Sequence, residues 1–134
     1  MTLKPLLLIP TLSLVCLLSA CAGPMPKADP SEAWIGMDQP ASADLLAERI
    51  DGKEVHDARY FEVKPGAHRL DMTLLSGADG NSTDLNCMGR LDYSEFKAGE
   101  HYQINASSEG LKAAVSLVDS HGNQVAQSHS FKCS

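Results

Sequence analysis

From Arg59 onward the chain alternates, with apolar side chains at every second position between turns that mostly carry Gly. A period of two lines one face of a strand, whereas a helix needs recurrence at three and four. His68, Leu70, Met72 and Leu74 interleave with Arg69, Asp71 and Thr73. Leu111, Ala113, Val115 and Leu117 repeat the pattern, as do Tyr102, Ile104 and Ala106, and Phe61 and Val63 share one face of a strand over Arg59 to Val63. Leu85, Cys87, Leu91 and Tyr93 also share parity, with Gly89 standing where a side chain belongs. A glycine inside a strand marks a bulge or a close approach. Val125 to Cys133 reads as one last, weakly amphipathic strand at a sheet edge.

Turn chemistry sets the joints. Asp51-Gly52 is a hairpin dipeptide. It favours a strand over Ala43 to Ile50, with a short helix the open alternative because Leu45, Leu46, Arg49 and Ile50 also fit a helical stripe. Lys64-Pro65-Gly66 suits a type II turn, with Pro presetting φ at the first corner and Gly supplying positive φ at the second. Ser107 to Gly110 and Asp119 to Asn123 read as turns, and Ser76 to Asp84 as a polar loop too poor in closely spaced oxygen ligands to bind calcium. The expected fold is all-β: an antiparallel β-sandwich, or the related barrel, of about seven strands over residues 34–134.

The N-terminal segment follows other rules. Met1 to Lys4 carry one positive charge, and the apolar run from Leu6 to Leu18, broken by Pro5 and Pro10, ends in Leu18-Ser19-Ala20-Cys21. The run has secretory-signal layout and is short for a membrane span. A retained membrane anchor is the competing reading. The tetrapeptide resembles the lipobox of bacterial lipoproteins. That resemblance implies cleavage of residues 1–20 and covalent lipid on Cys21, with several acyl chains giving a stable anchor. By the same resemblance, Ala22 after the cysteine implies the periplasm-facing side of the outer membrane of a Gram-negative cell. Residues 21–33, with Gly23, Pro24, Pro26 and Pro30, then read as a flexible tether. Trp34, the only tryptophan, reads as a cap on the start of the core, or alternatively as part of a partner-facing groove.

With Cys16 leaving and Cys21 lipidated, Cys87 and Cys133 remain. In an oxidising compartment they read as a disulfide that pins the C-terminal strand to the middle of the sheet. The loop of about 47 residues would be worth roughly 4 kcal/mol in the chain-entropy model. A metal or redox pair is the alternative, disfavoured by the wide spacing. The formal charge of −6 at pH 7 becomes more negative when Lys4 is lost, and no basic patch offers nucleic acid a footing.

Two stretches carry a further likeness. Ile50-Asp51-Gly52-Lys53 followed by Val63-Lys64-Pro65-Gly66-Ala67-His68-Arg69-Leu70 resembles the PEGA-type hairpin found in small bacterial lipoproteins of unknown function. Phe96-Lys97-Ala98-Gly99-Glu100-His101-Tyr102-Gln103-Ile104 is similar to a strand entry in such proteins. The resemblance implies a β-sandwich of interaction type, with no catalytic residues to carry over.

Chemistry is otherwise sparse. His56, His68, His101, His121 and His129 form no metal-binding spacing, so zinc ligands would have to come together from separate strands. His68, after a turn on an apolar face, reads as a core-edge imidazole bonded to a carbonyl. No G-x-S-x-G elbow or phosphate loop occurs, and Glu95 with Glu100, or Asp92 with Glu95, are carboxylate pairs without an evident cleft. The expectation is a non-enzymatic module without cofactor, membrane-held by its lipid, that binds another envelope protein. The alternative is a binder of glycan, peptidoglycan or a small ligand, including a lysozyme-inhibitor-like role, drawing on Trp34, Tyr60, Tyr93 and Tyr102. An enzyme is the third reading.

Overall fold

A computed structural model describes residues 24–38, 43–76, 85–109 and 112–133. Cys21 and the polar stretch 77–84 lie outside the described residues. Every regular element described is a strand: β1 (Ala33–Met37), β2 (Ala43–Ile50), β3 (Lys53–Glu54), β4 (Tyr60–Val63), β5 (Gly66–Ser76), β6 (Leu85–Phe96), β7 (His101–Glu109), β8 (Lys112–Val118), β9 (Gln124–Ser128) and β10 (Lys132–Cys133). They form two five-stranded sheets, ordered β4-β1-β7-β8-β9 and β10-β6-β5-β2-β3. All neighbours are antiparallel except β1 and β7.

The protein is an all-β sandwich, and the alternation explains its core. Leu70, Met72 and Leu74 of β5 turn inward, as do Leu91 of β6, Ile104 of β7 and Leu117 of β8, each essentially without solvent contact. Burying a side chain of this size stabilises the fold by roughly 1.5–3 kcal/mol relative to exposure. Residues 43–50 are a strand, and the β2–β3 turn has φ of 51° at Asp51 and 83° at Gly52. Two consecutive positive φ values are the type I′ geometry that matches strand twist.

The strands that alternation does not reveal are β1, β3 and β10, each five residues or fewer. In β1, Ala33 and Ile35 are buried, so Trp34 lies half-buried on the outer face of the sheet, away from the core it was expected to cap. Strand parity forces this: the neighbours that face inward on both sides leave Trp34 the other face. Gly66 has the expected positive φ, 115°, but the turn carries the chain from β4 in one sheet to β5 in the other. It is a corner rather than a hairpin.

The last strand is also two elements. β9 is the edge of the first sheet and β10 the edge of the second, and residues 129–131 cross between them. Polar His129 and Ser130 interrupt the apolar pattern here. The Ser130 hydroxyl donates to Arg90 O at 3.1 Å, and the Ser130 N–H donates to the Ser128 hydroxyl. Phe131 then enters the core over Gly89, where an added Cβ would lie 2.1 Å from a ring carbon. Cys133 stands opposite Cys87 in register, and the two are bonded. The disulfide therefore fastens β10 to β6 at the sheet's edge rather than at its middle.

On the N-terminal side, residues 24–28 carry no strand. From Asp29 the chain is bonded to the sandwich: Asp29 N–H donates to Glu62 Oε2 at 2.9 Å, and Gly99 N–H donates to Glu32 O at 2.9 Å.

Candidate groove between beta6 and beta9

A groove of about 800 Å³ opens where the two sheets meet at the β6 and β9 side. Its walls come from Ala67, His68 and Arg69 of β5, Asp92 to Glu95 of β6, Val125 and Ala126 of β9, and Asp51 of the β2–β3 turn. Three local features leave it open. The β5–β6 ladder shifts register between Gly66 and His68, and the β8–β9 ladder shifts between Leu117 and Val118. β10 pairs only with Cys87 and Met88, so among the described residues no strand pairs with β6 beyond them on that side.

The rim is organised by Asp51. Its N–H donates to Arg69 O at 2.9 Å, and its carboxylate accepts the Arg69 N–H at 2.8 Å and meets His68 Nδ1 at 2.6 Å. These bonds, led by that from Arg69 and then that from His68, hold the Asp51 carboxyl below the usual aspartate range. The other His68 nitrogen, Nε2, lies 2.7 Å from Lys64 O. Both ring nitrogens thus face oxygen atoms, which fixes the ring between the turn and the end of β4. Arg69 in turn pairs with Asp92 at 3.2 Å, an exposed cross-strand pair worth little by itself.

The floor is apolar. Tyr93 lies edge-on to Phe96 at 4.9 Å and to Tyr102 at 6.1 Å, beside Val125 and Ala126. The Tyr102 hydroxyl accepts the Lys97 N–H at 3.1 Å. Burial, then Tyr102, Glu95 and Asp119, push the Tyr93 hydroxyl above its ordinary pKa.

A second surface lies on the outer face of the first sheet. Trp34 stacks on Tyr60 with ring centroids 4.2 Å apart and planes 11° from parallel. Just before Trp34 in the chain, burial and then the Glu62 and Asp29 carboxylates raise the Glu32 carboxyl pKa. A hollow of about 400 Å³ beside Tyr60 includes Val55, His56, Asp57 and Glu62. Of the four aromatics weighed for ligand binding, Tyr93 and Tyr102 pack on Phe96, and Trp34 and Tyr60 stack on each other, so no open row forms.

The structure distributes the residues singled out from sequence unevenly. Cys87 and Cys133 are brought together, while His68 bonds a carbonyl and also a carboxylate. Asp92 and Glu95 line one groove, but Asp92 is taken up by Arg69, and Glu100 accepts the Ser120 hydroxyl at 3.0 Å. Among the described residues no three His, Cys, Asp or Glu side chains are placed to hold a metal ion. Sequence reasoning missed the bond from Asp51 to His68 and Arg69. Its only signal was that both partners sit at the two turns of the PEGA-like pattern.

Searches of protein-family models, curated proteins and solved structures find no match to this chain.

Proposed function

We propose that this protein is a non-enzymatic interaction module, lipid-anchored through Cys21 at the periplasmic face of the outer membrane, that docks another envelope protein. The observation that carries the reading is the open groove, with its apolar floor and a charged rim held by internal bonds. Such a surface suits recognition: apolar contacts give affinity, and polar groups at the margin give orientation. The lipobox-like Leu18-Ser19-Ala20-Cys21 supports the anchor, and the likeness to PEGA-type modules supports the interaction role. Cross-linking in cells followed by affinity isolation tests it, with a secreted Cys21→Ala form as control. The expected result is one dominant envelope protein, lost in the control. Recovery of the same proteins with and without the anchor would count against it.

The Trp34–Tyr60 stack favours a second reading, a binder of glycan or peptidoglycan fragments. Trp34 is the only tryptophan, so its fluorescence reports directly on that surface. Titration with muropeptides should quench or shift its emission. Unchanged emission at millimolar fragment, together with no retention on peptidoglycan, removes this reading.

A further inference from the structure

The β6 edge inside the groove has an unpaired main chain. Arg69 and Asp92 are opposite in register, yet the Arg69 N–H and C=O are both used by Asp51 on the far side of β5. That makes the Arg69–Asp92 position a non-hydrogen-bonded pair, and the Asp92 N–H and C=O must point away from β5. Arg90, two residues earlier, agrees: its carbonyl faces the same way and accepts the Ser130 hydroxyl. At Asp92 neither main-chain group has a hydrogen-bond partner among the described residues, although β9 runs close by, because the chain crosses between the sheets at residues 129–131. An open edge of this kind is a template for an added strand.

We propose that the β6 edge at Asp92 accepts an extended, basic segment of the partner protein as an added strand, its apolar side chains resting on Tyr93, Val125 and Ala126. The inference rests on the interaction reading above and names what that partner presents. Charge argues for a basic occupant. The cation of the rim, Arg69, is already matched by Asp92, and the His68 ring is already bonded to Asp51. Glu95 has no polar partner among the described residues, and Glu95 and Asp119 both act on the Tyr93 hydroxyl at the groove floor. The chain as a whole carries 17 acidic against 11 basic side chains. Complementary charge at a rim speeds encounter and excludes acidic competitors.

The test is site-specific photo-cross-linking of the full lipidated chain in cells. A photoreactive residue replaces Ser94 in the groove, Met88 on the outer face of the second sheet, or Ser116 on the outer face of the first. The expected result is a cross-link from Ser94 that exceeds those from the other two, joined to a segment whose sequence is basic and alternates polar with apolar. Glu95→Lys should weaken it about fivefold, the effect of one exposed ion pair lost. Cross-links from Met88 or Ser116 alone would overturn the groove proposal while leaving the interaction reading standing. Cross-links from none of the three would overturn both. An acidic segment at Ser94, or no response to Glu95→Lys, would overturn the assignment of a basic strand.

Discussion

At the scale of single residues, Asp51 does three things at once: it tolerates a positive φ, accepts the Arg69 N–H and meets the His68 ring. Because its folded pKa is lowered, the carboxylate stabilises the fold above the unfolded aspartate value of about 3.9, and the contribution fades as pH falls through the lower folded value. Asp51→Asn keeps the turn and one acceptor but loses the charge. The variant should be less stable by about 1 kcal/mol at pH 7, with the gap closing as pH falls through the lowered folded value. Urea unfolding over a series of pH values from 7 downward measures this, and a gap that does not change with pH would contradict it. The aspartate of Asp51-Gly52 was legible as a turn residue, since its type is demanded by φ. Its bond to His68 was not, because nothing in a pattern of neighbours records what meets across 17 positions.

Elements show the same division between local and long-range information. β5, β7 and β8 were readable because each carries several inward side chains at a period of two. β1 was not, being five residues with Trp34 outward, and β10 was hidden because the sheet crossing lies within an unbroken stretch of chain. Gly89 was legible as a bulge or a close approach, but the object approached, the Phe131 ring, is 42 positions away. That contact gives a prediction. Gly89→Ala should cost roughly 1–3 kcal/mol through overpacking against the ring. Phe131→Ala should cost about 3–5 kcal/mol alone. In the double variant the two penalties should fall well short of additive, since the added methyl enters the space the ring vacates. Additive losses in thermal or urea unfolding would show that the ring and the glycine do not constrain each other.

The whole molecule is held at the β9–β10 side by one short crossing and one covalent bond. Cys87 and Cys133 are 46 positions apart, so the disulfide restricts a long loop of the unfolded chain. Reduction, or Cys87→Ser with Cys133→Ser, should lower stability by up to about 4 kcal/mol and shift the urea midpoint accordingly. Equal midpoints for the oxidised and reduced proteins would refute that contribution. The groove belongs to this scale too. It is assembled from residues near positions 51, 68, 93 and 125, and no stretch of sequence contains more than a fragment of it.

The placement of β1 has a mechanical consequence. Although it is the first strand, it lies inside its sheet, with β4 on one side and β7 on the other. A pull on the preceding chain meets first the short latch at Asp29 and Glu32, then a strand loaded along its own axis. The ladders on both flanks must then shear together, whereas a hairpin at a sheet edge can be unzipped rung by rung. A domain pulled from its N-terminal side is therefore gripped at an interior strand, and tension there should be resisted before it disturbs the groove across the sandwich.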